Sequence, residues 1–408
     1  MPHRDQLVVW VRRLRLGAFI GWAGLMVVSG YLPAYGQVRL AAGPVVYLPL
    51  ISQLNLPSVT ACQLPEAAQR GDVGLGFPRY PERMVATGAV RAKVLLVDFS
   101  DAPAAETPAQ ALARITPGAP EFYRAVSYGR LDYQLEPHLA WLRMSRLSTD
   151  YGWNGYASLS FGQFRAYLQE AVTLADPAVD FTGVQAVYVL TNPGATAISY
   201  GPAFTAVYPG DGLTADGQII LNGTASGLDL LSWGALWLNH EAGHTLGLVD
   251  LYAASGDTHR FVGGFSNMGL ISGLAPGYLA YERWLLGWLD DTQIFCQQTP
   301  AQTVSLTAIE AVGGLKAVMV PTGPTSAVVV ESRRPFGEDA ALPKAGALVY
   351  TVDTAILSGA GPVKVFPDLA DKYQAPLASG AQVTVGKVTV QVVEAASLGD
   401  VVRVTVAP

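Results

Sequence analysis

The segment Leu238–Asp250, LNHEAGHTLGLVD, concentrates residue types that can bind a metal and move protons. The chain has 5 histidines among 408 residues, and two of them, His240 and His244, are separated by one helical turn with Glu241 after the first. Residues four apart lie on the same face of a helix, so both imidazoles can reach one ion. Glu241 projects from the adjacent edge and can reach a water on that ion. This HExxH pattern predicts Zn2+-dependent hydrolysis with Glu241 as the general base.

A catalytic zinc site has three protein ligands and one open position for water. Gly247 can end the helix in a left-handed conformation and let the chain turn back, so we predict Asp250 as the third ligand. Other side chains that suit zinc remain alternatives for this position: Glu282, His259 and Asp257. The alternative to a metal site is a core helix with incidental polar residues. That alternative requires two histidines and a glutamate to be buried at a high desolvation cost.

Three further features have weaker chemical signals. Met268 lies in a Gly-rich loop and is predicted to form a tight turn beneath the site, although a methionine can also fill a gap in the core. Tyr281 is a candidate to stabilise the oxyanion, but the chain has 18 tyrosines and packing is the alternative. Asp211–Asp216, DGLTAD, is a candidate Ca2+ loop, but Asp and Gly also form turns.

The elements that must position these residues predict an α+β fold. Helical periodicity covers Ser232–Leu246, the segment with the histidines, and also Phe161–Ala175, which ends at the proline boundary Asp176-Pro177. The other predicted elements before residue 297 are a helix at Glu121–Val126, buried strands at Lys93–Phe99 and Gln185–Leu190, and strands in LDYQLEPHLAWLRM. From Thr303 on, short strands such as AVVVESR and VTVQVVE alternate with turns, and no helix is predicted after Leu289.

Four segments follow along the chain. Residues 1–36 have a basic flank and a charge-free stretch from Leu16, so we predict a signal peptide cut before Gln37, with a retained membrane anchor as the alternative. Residues 37–85 are rich in proline and predict a linker or extended arm. Residues 86–296 form the predicted zinc peptidase domain, and residues 297–408 a β-rich C-terminal region packed on it. Whether residues 1–36 are a cleaved signal peptide or a retained anchor, the rest of the chain is predicted to lie outside the cytoplasm.

A location outside the cytoplasm bears on the oxidation state of the two cysteines, Cys62 and Cys296. An even number of cysteines in an oxidising compartment predicts one disulfide, which would tie the arm to the end of the peptidase domain. Two unpaired buried thiols are one alternative. The other is that the arm blocks the site, with the Cys62 thiolate bound to zinc.

Composition excludes several classes of function. The formal charge of −6, with no basic run outside the N-terminus, argues against nucleic acid as a partner. No GxSxG motif occurs, which argues against a serine hydrolase. The predicted partners are therefore protein or peptide substrates, with a membrane involved only if the N-terminal segment is retained as an anchor.

The segment HEAGHTLGLVDLY resembles the active-site segment of the immune inhibitor A family of secreted bacterial metallopeptidases, which carry HExxHxxGxxD. The resemblance covers roughly residues 93–353. It includes KVLLVDFSD, FYRAVSYGRLDYQLE, GGFSNMG, PGYLAYERWLLGWL and VVVESRRPFGEDAALPKAGALVYTVD. It implies a metzincin-like zinc domain with endopeptidase activity. It also implies zinc ligation by His240, His244 and Asp250, a general base at Glu241 and a methionine turn at Met268.

The chain departs from the family pattern at two places. Ser332 stands where asparagine is common, and Phe265-Ser266-Asn267 precede Met268 where a Trp-Asp pair is usual. These changes put in doubt any calcium site that used the aspartate, but they leave the zinc ligands untouched. A secreted zinc-stabilised binding or surface protein without catalysis is the alternative function, against which the intact Glu241 argues.

Overall fold

The computed structural model describes residues 58–68, 71–153 and 159–408, which belong to one compact unit. The predicted signal peptide or anchor at residues 1–36 and the first part of the predicted arm lie outside the described residues. The described chain is a mixed α and β structure with more strands than helices, which confirms the α+β prediction at this level. None of its helices is both long and apolar enough to cross a membrane.

The first sheet is formed by strands from the region predicted as the peptidase domain. These strands are β1 Gly88–Asp98, β2 Leu131–Arg143, β3 Ala186–Thr191, β4 Ala203–Thr205 and β7 Asn222–Ala225, and a separate hairpin is formed by β5 Leu213–Ala215 and β6 Gln218–Ile220. The order across the sheet is β2-β1-β3-β7-β4. The first four strands in this order are parallel, and β4 pairs antiparallel with β7 at the edge. β3 is buried throughout because it is a continuous apolar run, as predicted for a central strand.

The helices in the described residues are α1 Pro108–Leu112, α2 Gly118–Val126, α3 Phe161–Ala175, α4 Asp229–Trp233, α5 Ala235–Thr245 and α6 Ala280–Leu285. α3 matches its predicted bounds and begins with a capping box between Ser160 and Gln163. The helix predicted at Ser232–Leu246 corresponds to α5, but its predicted start was wrong, because α4 ends and α5 begins at Gly234. Gly234 has a φ of 53°, which an L-residue rarely adopts. α5, which carries the histidines, contacts α2, β4 and β7.

The C-terminal region consists of two further sheets. Its strands are β8 Ile294–Cys296, β9 Ala301–Thr307, β10 Ala317–Pro321, β11 Ser326–Arg333, β12 Gly346–Asp353, β13 Val363–Phe366, β14 Gln382–Val385, β15 Val388–Ala396 and β16 Gly399–Val406. The orders are β13-β12-β11-β10-β8 and β14-β15-β16-β9. Valines such as Val330, Val390 and Val404 form a shared buried cluster. The prediction of a β-rich region without α-helices is confirmed for the described chain, although its first strand, β8, precedes the predicted boundary at residue 297.

The described part of the predicted arm, residues 58–68 and 71–85, packs into the core. Leu64, Val73, Leu75 and Met84 are each 3% exposed or less. Cys62 forms a disulfide with Cys296 of β8, and both cysteines are fully buried. In this part, the arm is therefore an integral part of the core.

Candidate metal centre

The two histidines of α5 lie beside Asp250. Asp250 Oδ1 is 3.1 Å from His240 Nε2 and 3.2 Å from His244 Nε2. One ligand atom from each residue falls within 4.8 Å of the other two. His240 is buried, whereas His244 and Asp250 are partly exposed, so solvent reaches one side of the group. Across the described ranges, this is the one group of three His, Cys, Asp or Glu residues with such geometry.

The alternative third ligands lie outside this group. Glu282 is fully engaged elsewhere, because its two carboxylate oxygens accept hydrogen bonds from Ser266 Oγ and from the backbone N–H of Leu279. Asp257 is exposed and accepts a hydrogen bond from the backbone N–H of His259. Of the candidates, Asp250 is therefore the carboxylate that the structure brings to the histidines.

Backbone carbonyls orient both imidazoles. His240 Nδ1 donates to the carbonyl of Asn267, and His244 Nδ1 donates to the carbonyl of Leu248, each at 2.8 Å. A carbonyl oxygen can only accept, so each Nδ1 carries a proton and donates it. Each Nε2 therefore faces Asp250 and is the ring nitrogen available to a metal. This is the ring orientation that a metal ligand needs.

The turn after α5 brings Asp250 back to the histidines. Gly247 has a φ of 106°, as predicted for a left-handed helix end, and the N–H of Leu248 donates to the carbonyl of Gly243 at 3.0 Å. A Cβ added at Gly247 would also lie only 3.1 Å from Arg79 Cγ. Glycine is thus required at this position both by the backbone conformation and by the close approach of the arm.

The two carboxyl groups of the site have opposite pKa shifts. Glu241 is 8% exposed, and its burial raises its pKa to about 8 against the opposing charge of His240. For Asp250, burial acts to raise the pKa, but the charge of His244 and hydrogen bonds from both histidines lower it well below its ordinary value. Asp250 is therefore an anion suited to bind a cation. Glu241 is a carboxyl group that can hold a proton near neutral pH.

Met268 packs against the backbone of α5 between the histidines. Its side chain is fully buried, and its carbonyl accepts a hydrogen bond from the N–H of Leu251 at 2.8 Å. A Cβ added at Gly243 would lie 2.5 Å from Met268 Sδ and 2.9 Å from the hydroxyl oxygen of Tyr278. The predicted Gly-rich loop thus runs directly against the helix that carries the histidines.

The candidate oxyanion stabiliser, Tyr281, lies in the core. It is 1% exposed, and its hydroxyl donates to the carbonyl of Leu75 at 2.7 Å. This arrangement favours the packing role that was its alternative. Tyr252 is closer to the site, because its ring stacks on the His240 ring with centroids 6.2 Å apart and an interplanar angle of 22°. Sequence reasoning gave Tyr252 no role, although its position two residues after Asp250 was a usable signal.

The C-terminal region also contacts the site. Ser358 Oγ donates to the backbone carbonyl of Asp250 at 3.1 Å. Next to this contact, Ala253 and Gly359 form a parallel β-bridge. Sequence reasoning missed Ser358 and the carbonyls of Asn267 and Leu248, because no residue-type signal marks a backbone acceptor or a serine more than 100 positions away.

The remaining candidates have structural partners. Asp216, in the candidate calcium loop, has a φ of 49° in the β5–β6 turn, and its carboxylate accepts a hydrogen bond from the N–H of Phe181. The alternative in which Cys62 supplies a thiolate to zinc was wrong, because its sulfur is joined to Cys296. At the departure from the family pattern, Ser332 Oγ donates to Asp400 Oδ2 at 2.7 Å.

The chemistry available at this site follows from its donor atoms. Two imidazole nitrogens and one carboxylate oxygen form a set that suits a divalent transition metal, and zinc in particular. A buried carboxyl group, Glu241, follows the first ligand directly in the helix. Comparisons of the chain with known protein families and with curated proteins found no match.

Proposed function

We propose that this protein is a secreted zinc-dependent endopeptidase in which His240, His244 and Asp250 bind the metal and Glu241 is the general base. The observation that carries the proposal is the convergence of one ligand atom from each of these three residues within 4.8 Å. That convergence occurs next to a glutamate whose pKa is raised to about 8.

The residues present fit a zinc ion. Both Nδ1 atoms are occupied by backbone carbonyls, which fixes both rings with Nε2 directed at the carboxylate of Asp250. Three protein ligands with one open position are the usual set for catalytic zinc, and the partly exposed His244 and Asp250 supply the open side.

Bound in this position, zinc would polarise a water molecule and the scissile carbonyl and lower the pKa of that water toward neutrality. Glu241 would accept the proton released by the water and then deliver it to the departing amine. His240 and His244 would keep their orientation throughout, because their Nδ1 protons are held by carbonyls of the protein backbone.

The proposal also includes a relation to a known peptidase family and secretion of the protein. The resemblance of HEAGHTLGLVDLY and its companion segments to immune inhibitor A-like peptidases supports a metzincin-like zinc domain acting on protein or peptide substrates. The N-terminal sequence supports secretion, and so does a disulfide between Cys62 and Cys296, since disulfides persist in oxidising compartments.

The test compares the wild-type protein with Glu241→Gln. We expect both to bind about one zinc per chain, because Glu241 is not a ligand. The rate of casein cleavage by the variant should fall by roughly 100-fold or more, because general acid–base catalysis typically contributes at least that factor. Glu310→Gln is the matched control. Glu310 is another largely buried glutamate with a pKa raised to about 8, but its carboxylate accepts from the backbone N–H of Arg334 in the C-terminal region.

Other outcomes separate the alternatives. Zinc bound by both proteins without cleavage of any protein offered would leave a zinc-stabilised binding protein. Absence of zinc from the wild type would overturn the metal centre, and so would zinc bound equally well by His244→Ala. Equal cleavage by wild type and Glu241→Gln would overturn the role of Glu241.

A further inference from the structure

The end of α5 leaves three carbonyl groups without a partner in their own turn. The preceding carbonyls of the helix, those of Ala242, Gly243 and His244, accept from the N–H groups of Leu246, Leu248 and Gly247. The next three carbonyls along the chain are those of Thr245, Leu246 and Gly247. Buried carbonyl groups at a helix end need donors from elsewhere, because an unsatisfied one costs free energy.

Residues 71–86 of the arm, which we call the cap segment, supply all three donors. The N–H of Met84 donates to the carbonyl of Thr245 at 3.0 Å, and the N–H of Gly74 donates to the carbonyl of Gly247 at 3.0 Å. Between them, Arg79 Nη1 donates to the carbonyl of Leu246 at 2.8 Å. The cap segment therefore completes the C-terminus of the helix that carries both histidines.

Arg79 has two effects at this helix end. Its guanidinium places a positive charge at the C-terminus of α5, where the helix dipole is negative. Its aliphatic stem lies over Gly247, since a Cβ added there would be 3.1 Å from Arg79 Cγ. Leu246 and Gly247 connect His244 to Leu248, whose carbonyl holds the His244 ring. Arg79 thus fixes the short segment that sets the orientation of this imidazole.

Other elements hold the cap segment in place. Tyr281 of α6 donates to the carbonyl of Leu75 at 2.7 Å, and Asn222 of β7 donates to the carbonyl of Glu82 at 3.1 Å. The side chain of Arg83 donates to the carbonyl of Ala206, just after β4. The segment therefore contacts the backbone of the site from one side.

We propose that the cap segment is a permanent part of the metal centre and that Arg79 is a positioning residue for His244. The cap segment is thus distinct from a removable segment, because it completes the end of the helix that carries both histidines. Any processing of the N-terminus that keeps the protein active must leave residues 71–86 attached. The inference rests on the metal-binding part of the proposed function and is independent of peptide hydrolysis.

The first experiment measures zinc affinity by competition with a chromogenic chelator. Arg79→Gln removes the charge and shortens the side chain, and we expect zinc binding to weaken on the order of 10-fold, the effect seen when a metal ligand loses its supporting hydrogen bonds. Arg79→Lys keeps a charged donor at the helix end and should remain within about 3-fold of the wild type. Arg114→Gln, which breaks a salt bridge to Glu106, is the matched control and should bind zinc like the wild type.

The second experiment uses the wild-type protein and does not depend on the folding of any variant. Coupling between two sites is reciprocal, so a cap segment that supports the metal must itself be stabilised by the metal. Hydrogen exchange should therefore slow on zinc addition in peptides covering residues 71–86 as well as in those covering residues 240–251. Peptides from residues 388–406, in the C-terminal sheet, are the control and should not change.

The outcomes distinguish this inference from the proposed function. Zinc binding by Arg79→Gln within twofold of the wild type would overturn the role of Arg79. Zinc-dependent protection at residues 240–251 with none at residues 71–86 would overturn the role of the cap segment alone. A wild-type protein that binds no zinc overturns both proposals.

Discussion

Close contacts at one glycine, Gly243, constrain α5, the helix that carries the two histidines. Gly243 precedes His244, and its Cα faces Met268 Sδ and the hydroxyl of Tyr278 so closely that an added Cβ would lie 2.5 Å and 2.9 Å from them. The Tyr278 hydroxyl is fixed in turn, because it donates to the carbonyl of Asn239 at 2.6 Å. A side chain at position 243 must therefore displace groups that have little freedom to move.

We expect Gly243→Ala to destabilise the metal-free protein by about 1–3 kcal/mol, the usual cost of overpacking a core. Gly162→Ala is the matched control in α3, where an added Cβ meets nothing within 4 Å, and it should be neutral or stabilising by up to about 1 kcal/mol. Urea unfolding of both variants measures the difference. A Gly243→Ala protein as stable as Gly162→Ala would show that Met268 and Tyr278 do not confine this helix.

The sequence predicted that the three candidate ligands lie together because their relation is local. His240 and His244 are one helical turn apart, and Gly247 supplies the reversal that returns Asp250, so all three follow from eleven consecutive residues. The groups that orient them are distant in sequence. The carbonyl of Asn267 and the hydroxyl of Ser358 reach the site through tertiary packing. Residue-type patterns carry no information on such contacts.

At the scale of elements, a buried polar network joins the loop that carries Met268 to α6 and β11. Glu282 accepts from Ser266 Oγ at 3.2 Å and from the N–H of Leu279 at 2.8 Å, which caps the start of α6. Arg333 of β11 donates to the carbonyl of Phe265 at 3.0 Å. The loop beneath the histidines is therefore held from both sides by buried groups whose hydrogen bonds must be satisfied.

This network predicts a pH dependence of stability. Burial raises the pKa of Glu282 to about 7 from 4.5, with the hydrogen bonds from Leu279 and Ser266 opposing the shift. Between these two pH values the folded protein binds more protons at this site than the unfolded chain does, so the contribution of Glu282 to stability falls as pH rises. The loss is at most roughly 3–4 kcal/mol, since each pKa unit corresponds to about 1.4 kcal/mol.

The measurement compares wild type with Glu282→Gln, which cannot ionise, in metal-free protein. We expect the free energy of unfolding of the wild type to decrease relative to that of the variant between pH 4.5 and pH 8. Urea unfolding at a series of pH values gives both curves, and the variant serves as the reference for all other titrating groups. Parallel curves over this range would contradict the raised pKa of Glu282.

Element bounds were predictable where the sequence pattern is strong and failed where one backbone angle decides. Phe161–Ala175 was predicted at both ends, because a capping box begins it and Pro177 follows it. The break between α4 and α5 was missed, since a glycine within a helical pattern does not reveal that its φ is positive, as it is at Gly234. The burial of the arm was not part of the prediction, for a different reason. Its prolines exclude a helix but do not show that the chain between them is buried.

At the scale of the whole molecule, the N-terminal arm connects the two regions of the fold. Cys62 of the arm is bonded to Cys296 of β8, while Leu75 and Met84 pack in the same core as α5. The C-terminal region reaches back to the metal centre through Ser358. The candidate site is therefore assembled from three parts of the chain, although its three candidate ligands all come from one short segment, residues 240–250.

The cross-link between these parts gives the last prediction. The two cysteines are 234 positions apart, so the disulfide restricts a large part of the unfolded chain. We expect Cys62→Ala with Cys296→Ala to lower the free energy of unfolding by about 2–5 kcal/mol, the usual cost of removing a native disulfide. Urea unfolding measures the loss. The single variant Cys296→Ala, which breaks the same bond but keeps one sulfur in the core, should lose nearly as much, because the cross-link is the larger contribution. In the wild type, both sulfurs should resist alkylation after unfolding without reductant, and two reactive thiols there would contradict the bond.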